Sequence, residues 1–380
     1  MTLYRQKHYE PWVDRRKQGA LFTRGMHLDW PLLGGLLLLS IVGLVVLYSA
    51  SGQDLEHVWR QVIRLALAFG VMIGVAQIPP HHLERWAPWL FGAGVLMLIA
   101  VLLVGDISKG ARRWLDLGVV RFQPSEIMKV AVPMMVAWYL AENRLPPSIK
   151  AVGIAAALVF VPVGLIAKQP DLGTAMLVCA AGLAVILLSG ISWRIIGITA
   201  LLGACVAPLM WFFGMHDYQR QRILTFINPE SDPLGTGYHI IQSMIAIGSG
   251  GLYGKGWLNG TQSQLEFIPE RSTDFIFAVF AEEFGFFGIV LLLAIYLFII
   301  LRCLYIANQA QDSFTRLLAG SLSLTFFVYV AVNIGMVSGL LPVVGVPLPL
   351  ISYGGTSMIT LMTGFGMLMS IQTHRKLVTT

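Results

Sequence analysis

Acidic and basic side chains inside or beside apolar segments are the first candidates for chemistry in this sequence, because ionisable groups at membrane depth are costly. Glu126 and Lys129, in the stretch RFQPSEIMKV, lie three residues apart and therefore share one face of a helix. Pro124 suits the first turn of that helix, where the helix dipole favours a carboxylate. The spacing fits a helix cap with a local ion pair, but a lysine near the positive end of a helix needs a specific partner.

The stretch ERSTDFIFAVFAEEFG places a carboxylate where a long apolar segment begins. Ser272, Thr273 or Asp274 can cap the helix that this segment predicts, which is an ordinary structural role. Asp274 also follows Glu270 and Arg271 at a point where water gives way to lipid. A carboxylate in that position can accept a proton from a substrate hydroxyl group. Asp274 is therefore the candidate general base.

Other polar positions have both a structural and a functional interpretation. Glu282 and Glu283 lie two turns further along the same segment, and we interpret them as partners for cations on neighbouring helices. In the turn KQPDLGT, Asp171 can cap the next helix or orient a cation such as Lys168. The stretch PVVGVPLPLISYGGTS is irregular backbone at membrane depth, which is tolerated only against protein or a water-filled cavity. Together these motifs predict a cavity open to the outside.

Basic residues are frequent in the segments that we predict to lie outside the membrane, although short outer loops usually avoid them. They fit two interpretations. Long cationic side chains can reach lipid phosphates, or they can bind an anionic substrate at the outer face. The residues concerned are Arg60, Lys109, Arg112, Arg113, Arg121, Lys168, Arg220, Arg222, Lys255 and Arg271.

The composition predicts a membrane protein. Of the 380 residues, 56% are hydrophobic and 12% are charged, about half the charged fraction of a soluble domain. Apolar segments recur along the chain at close to the ~20 residues that a helix needs to cross a bilayer. We predict an all-α polytopic membrane protein with about ten transmembrane helices, at 30–49, 60–78, 87–105, 124–141, 151–167, 172–189, 195–213, 275–301, 317–340 and 354–371.

The predicted organisation is a single membrane domain over residues 30–371, between tails at 1–29 and 372–380. The basic N-terminal tail, with an even number of crossings, indicates that both termini are cytoplasmic. A large outer loop, 214–273, contains a helix with apolar spacing that we expect along the membrane surface. Three cysteines (Cys179, Cys205, Cys303) lie in or at the end of apolar segments and predict no disulfide.

Several other classes of site are not indicated. The glycine-rich stretch GSGGLYGKGW has Ser249 where a P-loop needs its first glycine and Gly256 where it needs Ser or Thr, so we interpret it as a flexible turn. The HHLE stretch at His81–Glu84 lacks metalloprotease spacing and is interpreted as a solvated loop. No nucleotide or nucleic acid is expected as cofactor or partner. Without ATP outside, bond formation needs a substrate that arrives activated, such as a polyprenyl-pyrophosphate sugar.

Five stretches resemble the signatures of the SEDS (shape, elongation, division, sporulation) proteins, in the same order along residues 28–376. They are QPSEIMK, KQPDLGTA, YHIIQSMIAIGSGG, PERSTDFIFAVFAEE and PLPLISYGGTSM. PERSTDF, within the fourth of these stretches, and the further stretch MHDYQRQRI resemble the rod-shape members more than the division members. Where the common pattern after PER has histidine, this chain has Ser272, which leaves no catalytic role for a histidine there.

The resemblance implies ten transmembrane helices and polymerisation of lipid II into peptidoglycan glycan strands during cell elongation. It implies a class B penicillin-binding protein as partner, beside other membrane proteins of the elongation complex. It also implies that Asp274 matches the essential outer aspartate of the family, that Arg121 and Lys129 match functional cations, and that Glu126 pairs with Lys129.

The mechanism that we predict is inverting glycosyl transfer, with Asp274 as general base on the acceptor hydroxyl group. Arg113, Arg121 and Lys129 would stabilise the departing pyrophosphate. Whether Asp274 also binds a divalent cation, Mg²⁺ or Mn²⁺, as cofactor is left open by the sequence. The remaining residues expected at the substrate are Glu126, Lys168, Asp171 and Arg271.

Two rival functions are a flippase for a lipid-linked precursor and a scaffold for a partner enzyme. A flippase needs polar groups along its inner half, which is poor in them apart from Glu282 and Glu283. A scaffold has no need of a carboxylate at Asp274.

Overall fold

The computed structural model describes residues 27–108, 111–116, 121–214, 217–232, 235–265, 267–268 and 270–375. The ten predicted transmembrane segments each coincide with a helix. These helices are α1 (Trp30–Ala50), α2 (Leu55–Ala76), α3 (Pro80–Val104), α4 (Pro124–Glu142), α5 (Ile149–Lys168), α6 (Leu172–Leu188), α7 (Trp193–Leu209), α11 (Ile276–Asn308), α12 (Ser313–Val337) and α13 (Thr356–Thr373).

Shorter helices occupy the stretch between α7 and α11: α8 (Asp217–Ile227), α9 (Thr236–Ser249) and α10 (Thr261–Gln264). By length and hydropathy, α1, α2, α3, α5, α11 and α12 are each long and apolar enough to cross a membrane, and α6 and α7 are shorter apolar helices. The fold is therefore that of an all-α, multi-pass membrane protein, as predicted.

Two helices, α2 and α3, begin more than one turn before the apolar segments that predicted them. Asp54 caps α2 by accepting hydrogen bonds from the backbone N–H groups of Glu56 and His57, at 2.8 and 3.4 Å. Pro80 opens α3, in the first-turn position that suits proline. The interpretation of His81–Glu84 as a loop is therefore wrong, because these residues form the first turns of α3.

The centre of the bundle is α4, which contacts α3, α5, α6, α12 and α13. Most of its residues from Pro124 to Leu140 are buried, including the polar Ser125, Glu126 and Lys129. A helix surrounded on all sides cannot expose charged side chains to water. Its ionisable groups must therefore be paired within the protein.

The segment between α3 and α4 forms a small antiparallel sheet, for which the sequence carried no clear signal. Its strands are β1 (Asp106–Ser108), β2 (Ala111–Asp116) and β3 (Arg121–Phe122), in the order β1-β2-β3. In the backbone register of β2 and β3, position 116 lies opposite position 121, and β2 contacts both α3 and α4. The sheet therefore fixes this segment against the bundle. Lys109 and the side chains of Arg112 and Arg121 lie outside the described residues.

Helix α11 is interrupted at Gly285, whose φ of 63° and ψ of −162° are not helical. The glycine-rich segment, Gly250–Gly256, supplies the missing hydrogen-bond partners. The backbone N–H groups of Lys255 and Gly256 donate to the carbonyls of Glu282 and Glu283, both at 3.0 Å. The N–H groups of Phe286 and Phe287 donate to carbonyls of the same segment, at 2.9 and 3.1 Å. The segment is a turn, as interpreted, and its backbone is bonded into the break of a helix.

Candidate active site

Asp274 lies in a turn, half-buried, two residues before α11 begins. The amide of Asn333, a fully buried residue of α12, donates to the Asp274 carbonyl oxygen at 2.9 Å and to the Val346 carbonyl oxygen at 2.7 Å. A Cβ added to Gly345 would lie 3.5 Å from Oδ2 of Asp274. The carboxylate therefore lies over the proline-rich segment, Pro342–Gly355.

The same segment holds the residues before Asp274. The Ser352 hydroxyl donates to the Thr273 carbonyl oxygen at 2.6 Å, and the Tyr353 backbone N–H donates to the Ser272 carbonyl oxygen at 2.8 Å. These bonds join two motifs that are about 80 residues apart in sequence. The irregular backbone that predicted a cavity thus supports the turn that carries the candidate base.

Glu126 and Lys129 form a buried ion pair, with Nζ 2.7 Å from Oε1 and exposed side-chain fractions of only 7% and 5%. Lys129 Nζ also donates to the Ser357 hydroxyl at 3.1 Å. The hydroxyls of Ser357 and Thr360, both on α13, lie 3.2–3.3 Å from the Glu126 carboxylate oxygens. Tyr329 of α12 presents its ring 5.4 Å from Nζ. The lysine has the specific partner that its position required.

A small cavity of about 30 Å³ adjoins this pair, lined by Lys129, Thr325, Tyr329 and Thr360 among other residues. A second, of about 20 Å³, lies under the proline-rich segment and is lined in part by Ser352 and Ser357. Both cavities are too small for a sugar, and most of the residues that line them are apolar. Ser357 is close to both.

The turn between α5 and α6 is bound to the small sheet. The Arg113 guanidinium donates to the carbonyl oxygen of Gln169, at 3.3 Å, and to that of Pro170. Asp171 caps α6 by accepting from the Thr174 N–H at 3.3 Å, and its second oxygen accepts from the Gln123 amide at 2.7 Å. The capping interpretation of Asp171 is the one that the structure supports.

Lys168 is exposed at the end of α5, on the same turn as Asp171. Next to this turn, a Cβ on Gly173 would collide with the Val344 carbonyl oxygen. The start of α6 therefore packs against the residues that flank Gly345, below Asp274. This contact brings the α5–α6 turn and the Asp274 turn to the same end of the bundle.

The two glutamates inside α11 have different partners. Glu282 pairs with Lys255 at 2.7 Å, so it does bind a cation, but one from the glycine-rich segment and not from a neighbouring helix. Glu283 accepts a hydrogen bond from the Ser49 hydroxyl of α1. The Arg271 guanidinium donates to the Ser263 carbonyl oxygen, within the stretch between α9 and α11. Arg271 and Glu282 thus both bind the chain that leads to Asp274.

Sequence reasoning missed a cluster where α2 meets the proline-rich segment. The Tyr353 ring lies 5.2 Å from the His57 ring and 4.4 Å from the Arg64 guanidinium carbon. Gln61 of α2 donates to the Ser352 carbonyl oxygen at 3.3 Å. Helical spacing of positions 57, 61 and 64 on one face was the signal that could have found it.

A family model described as cell cycle protein (FtsW, RodA, SpoVE) matches residues 30–377. The chain therefore belongs to this SEDS family of multi-pass inner-membrane proteins. It is 59% identical over 357 residues to the peptidoglycan glycosyltransferase MrdB of Escherichia coli K12, covering 94% of this chain and 96% of the relative. It is 30% identical to the peptidoglycan glycosyltransferase RodA of Treponema pallidum, covering 91% and 98%.

Solved structures show the same fold. A chain from the structure described as "Structural coordination of polymerization and crosslinking by a peptidoglycan synthase complex" matches with a TM-score of 0.79 and 31% identity, covering 91% of this chain and 97% of that chain. The rod shape determining protein RodA of Thermus thermophilus matches with a TM-score of 0.70 and 29% identity, covering 92% and 98%. The two motifs that resembled the rod-shape members more than the division members therefore indicated the branch of the family that these comparisons support.

Proposed function

We propose that this chain is a peptidoglycan glycosyltransferase that polymerises lipid II at the outer face of the inner membrane. The observation that carries the proposal is the Asp274 turn. The backbone carbonyls of this turn, at Thr273 and Asp274, accept hydrogen bonds from the Ser352 hydroxyl and the Asn333 amide, in a chain 59% identical to a protein named for this activity. Backbone anchoring of this kind gives a base a defined position before substrate arrives.

In the proposed reaction, Asp274 takes the proton of the acceptor sugar's 4-hydroxyl group. The freed oxygen attacks the anomeric carbon of the lipid-linked donor, the bond to the pyrophosphate breaks, and the anomeric configuration inverts. A positioned base typically contributes about 10²–10⁴-fold to the rate. Binding two lipid-linked chains in register would contribute much of the remainder.

The charge that stabilises the departing pyrophosphate needs to come from cations that are not already neutralised. The Glu126–Lys129 pair carries no net charge, so we assign it mainly to holding α4 against α13. Arg113, whose described partners are carbonyl oxygens, and exposed Lys168 are the better candidates, and Arg121 of β3 is kept as a third on the resemblance of its motif to the family. The contacts of Asp171 and Arg271 support roles in shaping the site rather than in binding substrate.

A divalent cation is compatible with this site but is not required by the steps above. The described residues contain no group of three or more His, Cys, Asp or Glu side chains placed to hold a metal. Mg²⁺ is commonly bound by one or two carboxylates together with substrate phosphates. Asp274 would be the carboxylate in such a site, and the ion would screen pyrophosphate charge.

The proposed orientation puts both termini in the cytoplasm and the Asp274 end of the bundle outside. The proposed partner is a class B penicillin-binding protein, acting with other membrane proteins of the elongation complex. A relative with 31% identity was solved in a peptidoglycan synthase complex that coordinates polymerisation and crosslinking, which supports a crosslinking partner.

The direct test is incubation of the purified chain with lipid II, alone and with the penicillin-binding protein. We expect glycan polymer, in larger amount with the partner. The flippase alternative is weakened by Glu282, because this carboxylate binds Lys255 of the outer loop and does not line an inner pathway. Movement of lipid II across vesicle membranes without any polymer, in the presence of the partner, would favour the flippase.

A further inference from the structure

The described residues between Gly260 and Asp274, which we name the Asp274 arc, connect the glycine-rich segment to the candidate base. The arc contains α10 and ends in the turn at Asp274. Its Asp274 end is bound by Asn333, Ser352 and Tyr353. Its α10 end needs an anchor of its own, because α10 has four residues and is too short to be stable alone.

Glu282 is that anchor. Its side chain is fully buried, with no exposed surface, and its carboxylate accepts four hydrogen bonds. Oε1 accepts from the Thr261 hydroxyl at 3.1 Å and from the Gln262 N–H at 3.0 Å, and Oε2 accepts from the Ser263 N–H at 3.3 Å. The fourth donor is Lys255 Nζ, at 2.7 Å. The carboxylate thus caps the start of α10 from a different helix.

The anchor connects directly to the turn that carries Asp274. Ser263, whose N–H binds Glu282, offers its carbonyl oxygen to the Arg271 guanidinium. Arg271 is three residues before Asp274 in the same turn. Glu282 is also on the first part of α11, between Asp274 and the break at Gly285. Both the helix that follows Asp274 and the arc that precedes it are therefore fixed at one carboxylate.

We propose that Glu282 is a positioning residue for the glycosyl transfer: by binding α10, Lys255 and the first part of α11 at one point, it sets the position of the Asp274 carboxylate. Neither Glu282 nor Lys255 touches substrate in this role. The inference rests on the proposed function, since it assigns Glu282 to the same reaction. It goes beyond that function because it makes the Glu282–Lys255 ion pair responsible for the position of the Asp274 carboxylate.

Glu282→Gln is the informative substitution, and Glu283→Gln is its matched control. An amide keeps the volume of the carboxylate but presents N–H groups to donors that need an acceptor. Glu283 is adjacent, equally buried and of the same type, but its side chain binds the Ser49 hydroxyl of α1 and, within the arc, reaches only the backbone of its first residue, Gly260. Both substitutions alter one buried carboxylate in α11, so a difference between them reports on the bonds that Glu282 alone makes to α10 and Lys255.

With purified protein and lipid II, Glu282→Gln is expected to lower kcat about 10- to 100-fold while KM changes little, because the base is misplaced and the substrate-binding surface remains. Glu283→Gln is expected to keep at least about half of the wild-type kcat, whatever its effect on thermal stability. Equal loss of kcat in both variants, in proportion to their loss of stability, would overturn the proposal. So would wild-type kcat in Glu282→Gln.

A second readout does not depend on activity. Ser272→Cys, in a chain whose Cys179, Cys205 and Cys303 are replaced by alanine, is labelled with a maleimide in detergent. When Glu282→Gln is combined with Ser272→Cys, the maleimide is expected to label position 272 several-fold faster. When Glu283→Gln is combined with it instead, the labelling rate is expected to stay nearly unchanged. Equal rates would reject the arc as a unit bound by Glu282. If the wild type makes no polymer but this difference appears, the proposed function fails and the positioning contact stands.

Should Glu282→Gln not be recovered as folded protein, Lys255→Met loosens the same anchor from the partly exposed side of the ion pair. It is expected to change kcat and the labelling rate in the same direction by a smaller factor. An unchanged kcat and an unchanged labelling rate in Lys255→Met would contradict the proposal.

Discussion

At the scale of single residues, the Glu126–Lys129 pair shows why a buried charge needs several partners. Its two side chains come from adjacent turns of α4, but the hydroxyls that complete it come from Ser357 and Thr360 of α13. A lone ion pair in a helix is offset by the cost of removing both charges from water. The two hydroxyls reduce that cost and join the centre of the bundle to its last helix.

Lys129→Met is expected to lose thermal stability and polymerisation together. Removing one member of a buried pair leaves the other charge uncompensated, which costs about 3–5 kcal/mol. Lys150→Met, at the exposed start of α5, is the matched control and is expected to change stability by less than about 0.5 kcal/mol. The measurements are thermal unfolding in detergent and turnover of lipid II. Similar small effects of both substitutions would count against a buried pair.

The double variant Glu126→Gln, Lys129→Met separates structure from chemistry. With no uncompensated charge, it is expected to regain a large part of the stability that Lys129→Met loses, because the amide can still bind Ser357 and Thr360. If the pair serves only to hold α4 against α13, turnover should recover with stability. Recovery of stability without recovery of turnover would show that Lys129 also contributes charge to the reaction.

Local spacing could predict part of this site and not the rest. Positions 126 and 129 share a helical face, so their pairing was predictable within one turn. Their contacts with positions 357 and 360 join residues that are more than 200 apart in sequence, and no local rule reports on such a contact. The motif that contains Ser357 was singled out for its irregular backbone, but the serine itself was not. Asp171 was predicted with two roles, and only its neighbours in space decide between them.

At the scale of elements, the break in α11 separates a short part that begins at Ile276 from a longer part that ends at Asn308. The apolar segment predicted one continuous helix there, because apolar residues continue on both sides of Gly285. The break depends on the glycine-rich segment, whose backbone replaces the interrupted helical hydrogen bonds. Hydropathy contains no information about that exchange. The small sheet between α3 and α4 was missed for a similar reason, since its strands are only two to six residues long.

Gly285→Ala is expected to destabilise the protein. Its φ of 63° and ψ of −162° lie in a region that only glycine adopts without strain. Any other residue held in that conformation costs about 1–3 kcal/mol of strain energy. A Cβ there would also collide with the Gly254 backbone. Gly164→Ala, in α5 with open space around its Cβ, is the control and is expected to be neutral or slightly stabilising. Thermal unfolding of both variants is the measurement, and an unchanged Tm for Gly285→Ala would contradict the strained break.

At the scale of the whole molecule, the recognisable motifs gather at one end of the bundle. The turn of Asp274, the proline-rich segment, the start of α4 with Glu126 and the turn at Asp171 all lie there. Ten apolar segments with a basic tail predicted this arrangement, because each crossing reverses the direction of the chain. The count was predictable from hydropathy alone. The packing of α9 along α11 and α12 was not.

The proposed orientation predicts which exposed positions react with a thiol reagent that cannot cross the membrane. In a cysteine-free background, Glu56→Cys and Lys168→Cys are expected to react from outside, and Arg144→Cys and Gln311→Cys only after the membrane is opened. All four positions are exposed, so accessibility within the protein does not limit the reaction. Reaction of Glu56→Cys only from the cytoplasmic side would reverse the proposed orientation.

Asp274→Asn tests the central claim most directly. The amide has nearly the volume of the carboxylate, and the hydrogen bond from Asn333 goes to the backbone of residue 274, so folding should be retained. The measurement is glycan polymer formed from lipid II by purified wild-type and Asp274→Asn protein with equal thermal stability. We expect a loss of at least about 10²-fold, the range for removal of a general base. Polymerisation by Asp274→Asn at near the wild-type rate would contradict the assignment of Asp274 as the base.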